Sequence, residues 1–119
     1  MEPGKTVYVS ITGLELKSWR HIFRFGWHTM RSFQQAKKAE GNISAALNSI
    51  NRVKHTRTVW ENEAAMRAFA YSGAHRKAIA AFPAIATGKT FGYETEAVPD
   101  WDEVHDLWRK RGKDYNRQA

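Results

Sequence analysis

The chain contains no cysteine. This absence excludes disulfide bonds, cysteine nucleophiles, iron–sulfur clusters and cysteine zinc sites together. The chain also has no apolar run that approaches the roughly 20 residues needed to span a bilayer, and no apolar stretch follows its first few residues. We therefore expect a globular protein and, by default, a cytoplasmic location.

Several sequence motifs are also missing. No HExxH, GxSxG, P-loop or GxGxxG pattern occurs, so we expect no metal site and no nucleotide site of a standard kind. The predicted strands carry no run of basic and aromatic residues of the kind that RNA-recognition domains use. We therefore expect no nucleic-acid partner.

Acidic residues are scarce in the first half of the chain. Residues 1–60 hold ten lysines and arginines against three acidic residues, whereas the two signs balance in residues 61–119, so the net charge of +7 belongs to the first half. Such a positive field could attract an anionic membrane or a carboxylate-bearing ligand. The alternative is a basic, solvated face without a ligand.

The length of 119 residues predicts a single domain. Strands are predicted at about 5–12, 43–50, 53–60 and 89–96, and helices at about 18–38, 62–72 and 74–81, the last ended by Pro83. This is the βαββαβ order of the ferredoxin-like α+β fold, with its core at about 5–96. An extra C-terminal helix is predicted at about 100–112, because Asp100 and Glu103 have capping-box spacing. Turns are predicted at Asn51-Arg52, within a hairpin, and at Thr87-Gly88; Asn62 is a predicted N-cap, and the tail from Lys113 is expected to fray.

The first predicted helix is unusually aromatic. Its apolar residues recur at spacings of three and four, the stripe of an amphipathic helix: Trp19, Ile22, Phe23, Trp27, Met30 and Phe33. Gly26 lies on that stripe and predicts either a kink or a close approach of another group to the backbone.

Residues 56–79 read TRTVWENEAAMRAFAYSGAHRKAI. A tryptophan ends a strand, an acid and a small capping residue follow, and a helix leads to a serine and a histidine-containing turn. This pattern resembles the strand-to-helix signature of the antibiotic biosynthesis monooxygenase-like proteins. The resemblance implies a homodimeric α/β barrel with a ligand cavity between the sheet and helices of each chain. A sheet covered on one face only agrees with such pairing, since its other face needs a partner.

The resemblance does not imply one activity, because the superfamily includes cofactor-free oxygenases of aromatic polyketides, heme-degrading enzymes and proteins with no known activity. Its heme-degrading members have an axial histidine where this chain has Ile79, and a tryptophan where it has Phe69. The resemblance therefore favours chemistry without a cofactor. Heme stays an alternative, with His75 as its ligand one helical turn before Ile79.

Three residues are candidates for catalysis. His55 and Arg57 are two apart on one strand, so they share a face and could bind a carboxylate or stabilise an enolate. His28 lies three residues before Arg31 on the first helix and could act as a general base. Each also has a plainer interpretation as a surface or packing residue. The candidates for lining the substrate cavity are Trp27, Arg31, Trp60, Tyr8 and Tyr93, with Trp60 alternatively a core anchor.

Three functions therefore remain open, and the sequence does not decide whether turnover occurs. The first is a monooxygenase acting on an apolar substrate. The second is a dimeric, non-catalytic binder of an apolar or anionic ligand. The third, least favoured, is a membrane-surface protein that uses the aromatic and basic segment 19–27.

Overall fold

The computed structural model describes residues 5–114, without the side chain of Ala74, as one antiparallel sheet that carries helices on both faces. Its strands are β1 (Val7–Leu16), β2 (Asn42–Ile50), β3 (Val53–Trp60), β4 (Ala86–Thr95) and β5 (Lys113–Asp114), in the order β2-β3-β1-β4-β5. Its helices are α1 (Ile22–Lys38, preceded by a 3₁₀ turn, Trp19–His21), α2 (Glu63–Ala70), α3 (Gly73–Ile85) and α4 (Trp101–Arg111). The predicted ferredoxin-like α+β fold is confirmed.

Local sequence signals account for the main boundaries. The Asn62 side chain caps α2 by accepting the Ala65 amide, and Asp100 caps α4 by accepting the Glu103 amide. Between β2 and β3, Asn51 and Arg52 both have positive φ, at 50° and 68°, which is the geometry of a two-residue hairpin turn.

Four boundaries differ from the sequence prediction. Strand β1 continues past Gly13 to Leu16, because β4 pairs with it along its whole length. Helix α3 runs through Pro83, which lies in its last turn, where a proline removes few backbone bonds. β4 then begins at once at Ala86 with no turn at Thr87-Gly88, and Lys113–Asp114 extend the sheet instead of fraying. The rest of the predicted frayed tail, residues 115–119, lies outside the described residues.

Strand β1 alternates between two different environments. Val7, Val9 and Ile11 lie in an apolar cluster beneath α4, together with Val59 of β3. The residues between them point to the opposite face, beneath α1, α2 and α3. The two faces of the sheet thus have different compositions, one aliphatic and one polar.

Helix α4 closes the aliphatic face. Its Trp108 is buried over Gly13, and the indole Nε1–H donates to the carbonyl oxygens of Gly13 and Lys89 at 3.2 and 3.0 Å. A partner chain is therefore not the sole means of covering this face, because the protein's own helix packs there. The homodimer stays a prediction.

A pair of histidines joins α4 to the sheet. His55 of β3 is 1% exposed, and its Nδ1–H donates to the Thr12 carbonyl at 3.2 Å. Its Nε2 must then accept from Nδ1 of His105 in α4, at 2.8 Å. Both nitrogens of His55 are thus occupied, one by β1 and the other by α4.

Helix α1 lies with its aromatic stripe outward. Its buried residues are Phe25, Ser32 and Ala36, whereas the stripe predicted for this helix is largely exposed. An amphipathic stripe normally faces the core, so this orientation is unusual. None of the described helices is both long and apolar enough to cross a membrane.

A matched pair of glycine substitutions tests the docking of α4. A Cβ at Gly13 would overlap the Trp108 indole and come within 2.8 Å of His55. A Cβ at Gly26 would meet nothing within 4 Å, so no group approaches the backbone closely at Gly26. We expect Gly13→Ala to lower the free energy of unfolding by about 1–3 kcal/mol. Gly26→Ala should raise it by about 0.5–1 kcal/mol, because alanine favours helix. Urea unfolding measures both, and equal effects would contradict this packing.

Acid should weaken the fold. Burial lowers the pKa of His55 below its ordinary value, although the bond to Thr12 opposes part of this effect. The unfolded chain then takes up a proton on this side chain at higher pH than the folded chain does, so acid favours unfolding. We expect the free energy of unfolding to fall as pH drops below about 6.5, until the lowered pKa is reached. His55→Gln should flatten this dependence, and an unchanged slope in that variant would contradict the assignment.

Candidate functional site

The polar face of the sheet forms the floor of a cavity of about 1180 Å³. The register pairs Ser10 with Thr58 of β3 and Thr12 with Thr90 of β4, so hydroxyl groups from three strands share this face. Thr90 Oγ1 donates to the Ile11 carbonyl at 3.1 Å. Because side chains alternate along a strand, the hydroxyl floor is the reverse side of the aliphatic core.

The roof of the cavity is mainly apolar and comes from the three helices on this face. Its members are Phe25, Phe33 and Ala36 of α1, Met66 and Phe69 of α2, and Ile79 and Phe82 of α3. An apolar roof over a hydroxyl floor suits a flat, largely hydrophobic ligand with a few oxygen atoms. The volume lies at or above the usual range of about 300–1000 Å³ for small-molecule sites.

Tyr8 stands at one end of the floor, over Gly92 of β4. A side chain at position 92 would overlap the Tyr8 hydroxyl, so the glycine makes room for that ring. Burial raises the pKa of Tyr8, with further contributions from Glu63 and Glu94. Tyr8 is therefore a neutral phenol near pH 7 and can donate a hydrogen bond.

Ser32 points from α1 into this region with an unsatisfied hydroxyl. The side chain is 8% exposed, and its Oγ finds no hydrogen-bond partner among residues 5–114. A buried polar group without a partner costs about 1–3 kcal/mol. Ser32 lines the cavity, so a ligand oxygen or nitrogen could satisfy it.

His75 is held at the cavity by two bonds. Its Nδ1–H donates to the Ala70 carbonyl at 3.0 Å, and its backbone N–H donates to Oε1 of Gln35 at 2.8 Å. The side-chain amide of Gln35 also donates to the Ser72 carbonyl at 2.9 Å, so one residue of α1 fixes the turn between α2 and α3. Gly73 in that turn has φ of +54° and lies against Gln35.

The protonation state of His75 follows from this geometry. With the proton on Nδ1, the Nε2 atom carries a lone pair. Burial lowers the pKa of His75, opposed in part by the bond to Ala70. The ring packs against Phe69 at 4.5 Å between centroids, with the two planes tilted by 48°. His75 is thus a neutral, oriented acceptor on the cavity.

The charged side chains that line the cavity itself are of one sign. Lys54, Arg67, Arg76 and Lys113 line it, and the described lining contains no acidic side chain. Arg67 is already paired with Glu63 at 2.8 Å. The remaining positive groups favour an anionic ligand or an anion formed during reaction.

The three residues predicted to be catalytic do not meet at one site. Arg57 faces α4, where it donates to the Pro99 carbonyl at 2.9 Å and covers the Trp101 ring at 4.6 Å. His55 borders the cavity, but both its nitrogens are occupied on the α4 side. His28 packs its ring edge against Phe82 and lies outside the lining, and burial with Arg24 nearby lowers its pKa.

The five residues predicted to line the cavity also lie in different parts of the structure. Tyr8 lines it. Trp60 is fully buried in the core behind it, with its ring tilted against Phe69 at 5.1 Å between centroids. Tyr93 lies on the α4 face, because strand alternation puts it beside Val9. Trp27 is exposed, with Arg31 over its ring at 5.1 Å, because α1 turns this stripe outward.

The sequence interpretation missed the hydroxyl floor, Ser32 and Gln35. The floor could have been found, because Tyr8, Ser10 and Thr12 alternate with the aliphatic residues of β1. Ser32 and Gln35 carry no such signal, since a polar residue on a helix is usually exposed.

The sequence matches no family model, and no curated protein matches it. Solved structures do resemble it. A cofactor-independent oxygenase from Streptomyces nogalater, SnoaB, superposes with a TM-score of 0.64 at 12% identity, covering 79% of this chain and 98% of that one. A candidate antibiotic biosynthesis monooxygenase from Nitrosomonas europaea gives 0.67 at 12% identity, covering 82% and 95%.

A third similar structure, of a Shewanella oneidensis protein, gives a TM-score of 0.68 at 12% identity and covers 77% of this chain and 93% of that one. At such identities the likeness concerns the fold alone. This chain thus shares the ferredoxin-like fold of these solved structures, which is the fold that the resemblance in residues 56–79 implied.

Proposed function

We propose that this protein is a monooxygenase-like enzyme that acts on an apolar substrate with an acidic proton, and that His75 is its base. The observation that carries the proposal is the position of His75 on the cavity wall, with its Nδ1–H bound to the Ala70 carbonyl, an arrangement that leaves the lone pair on Nε2. The similarity in fold to a cofactor-independent oxygenase agrees with it.

Substrate binding follows from the two surfaces of the cavity. An aromatic ring system would pack against the phenylalanines of the roof, and its oxygen atoms would meet the hydroxyl groups of the floor. Tyr8 can donate to an oxygen that gains negative charge, and Arg76 adds positive potential.

The chemistry requires no cofactor if the substrate supplies the electrons. His75 Nε2 accepts a proton from an activated methylene group, and the resulting carbanion reduces O₂. Overall the methylene carbon loses two hydrogens and becomes a carbonyl with one oxygen atom, while the second oxygen atom leaves with those hydrogens as water. Atoms and electrons then balance without an external reductant.

Heme is the alternative that the same residue allows. A histidine whose Nδ1–H is bound to a backbone carbonyl presents Nε2 in the manner of metal-ligating histidines, so His75 could hold the iron of a heme and Arg76 could pair with one of its carboxylates. Bound heme would supply the activation of O₂. Visible absorption of the protein with added heme separates the two cases, since a Soret shift that His75→Ala abolishes would favour heme.

Replacing His75 tests the base. With an anthrone, a tricyclic ketone with an acidic methylene group, as probe substrate, we expect His75→Ala to reduce kcat/KM by about 10²–10⁴-fold. His28→Ala is the matched control and should keep activity, because that ring lies outside the cavity lining. Oxygen uptake and carbonyl formation should occur one to one. Equal losses in both variants would contradict the role, and tight binding with no oxygen uptake in the wild type would favour the non-catalytic binder.

The pH profile provides a second signature of the same group. Because the base must be neutral and burial lowers its pKa, kcat/KM should be constant near pH 7 and fall only in acid, below the ordinary histidine value of about 6.5. A fall in kcat/KM with a midpoint above pH 6.5 would indicate that another group acts as the base.

Ser32→Ala separates ligand binding from stability. The substitution removes a buried hydroxyl without a protein partner, so the free energy of unfolding should rise by up to about 1 kcal/mol. Affinity for the anthrone should fall about 5–10-fold, which corresponds to one lost hydrogen bond. Ser44→Ala, on exposed β2, is the control and should change neither quantity. Destabilisation by Ser32→Ala with unchanged affinity would contradict this assignment.

A further inference from the structure

The outward face of α1 and its preceding turn is a ridge of large apolar side chains. Trp19 is 81% exposed, Phe23 88% and Trp27 62%, and Met30 continues the line. Spacings of four, four and three put these residues on one face of a helix. Single exposed apolar residues are common on protein surfaces, but a contiguous patch of this kind marks an interaction site.

The charges around this ridge have one sign. No acidic residue occurs from position 16 to position 39, whereas six lysines and arginines do: Lys17, Arg20, Arg24, Arg31, Lys37 and Lys38. Arg31 lies over the Trp27 ring at 5.1 Å from its centroid, so cation and aromatic group are presented together. The surface that complements this one is therefore apolar within and anionic at its boundary.

We propose that α1 docks on an anionic lipid surface, with its axis in the plane of the interface and the aromatic ridge inserted among the headgroups. Tryptophan and phenylalanine between basic residues are the composition of helices that lie at such interfaces. The opposite face of α1, with Phe25, Ser32 and Ala36, stays packed on the protein, so docking needs no unfolding.

The other occupants fit less well. A second copy paired across a two-fold axis would place the basic residues around this ridge close to those of the other copy, with no acidic residue on this helix to pair with them. An acidic protein would need a groove that accommodates the convex ridge, whereas the ridge can insert into a bilayer directly. The proposal is independent of the chemistry at His75, and either can fail alone.

Co-sedimentation with vesicles tests the proposal on the full chain. We expect the protein to pellet with phosphatidylcholine vesicles that contain phosphatidylglycerol, to remain in solution with phosphatidylcholine alone, and to be released by salt. Binding should shift tryptophan emission to shorter wavelength, since Trp19 and Trp27 leave water. No lipid-dependent pelleting would overturn the proposal.

Two sets of variants identify the surface. Phe23→Ala with Trp27→Ala should weaken lipid binding by about tenfold or more, while Tyr71→Ala, an aromatic residue 61% exposed elsewhere, should not. Arg20→Glu and Arg24→Glu should each weaken it at least about fivefold, and Lys77→Glu much less. Equal effects of the ridge and control variants would overturn the proposal.

Two further results would also overturn it. One is that the wild-type protein does not bind the vesicles but forms a dimer in sedimentation equilibrium, and that Phe23→Ala converts this dimer to a monomer. This result would assign the ridge to contact with a second copy. The other is binding to a polyglutamate peptide with no binding to the vesicles, which would assign it to an acidic protein.

Discussion

The alternation of β1 is the constraint on which the rest of the molecule depends. Because successive side chains of a strand point to opposite faces, Val7, Val9 and Ile11 commit one face to an aliphatic core, and Tyr8, Ser10 and Thr12 commit the other to hydroxyl groups. A polar face under apolar helices cannot be packed like a core without burying unsatisfied hydroxyls. The cavity is therefore a consequence of composition, and its oxygen-rich floor determines the ligands it can accept.

Helix α4 changes the chemistry that the sheet can perform. The sequence predicts His55 and Arg57 as catalytic residues, because both share one face of a strand. In the folded chain that face lies beneath α4, and His105, Thr12, Pro99 and Trp101 take up their polar and aromatic contacts. A base must have a free lone pair, and His55 has none left. His75, on the other side of the sheet, meets that condition.

The sequence predicted what depends on local patterns. The strand order, the hairpin at Asn51-Arg52 and the caps at Asn62 and Asp100 all follow from short-range signals, and the structure confirms them. The sequence could not predict which face of a helix meets the sheet when both faces can be packed. Trp27 and Arg31 were placed at the cavity by helical spacing alone, yet spacing fixes which residues share a face and not where that face points. Gln35 acts through a turn 37 residues away, beyond any local pattern.

The orientation of α1 links the cavity to the surface ridge. The helix turns Phe25, Ser32 and Ala36 toward the sheet and Phe23 and Trp27 outward. If Phe23 and Trp27 faced inward as well, their volume would fill much of the space above the hydroxyl floor, so their outward position helps to keep the cavity open. Their exposure costs hydrophobic free energy that burial against the sheet would have supplied. Because these side chains are not buried against the sheet, the fold has an open cavity on one side of α1 and an exposed apolar surface on the other. That surface can be buried only by contact with another molecule.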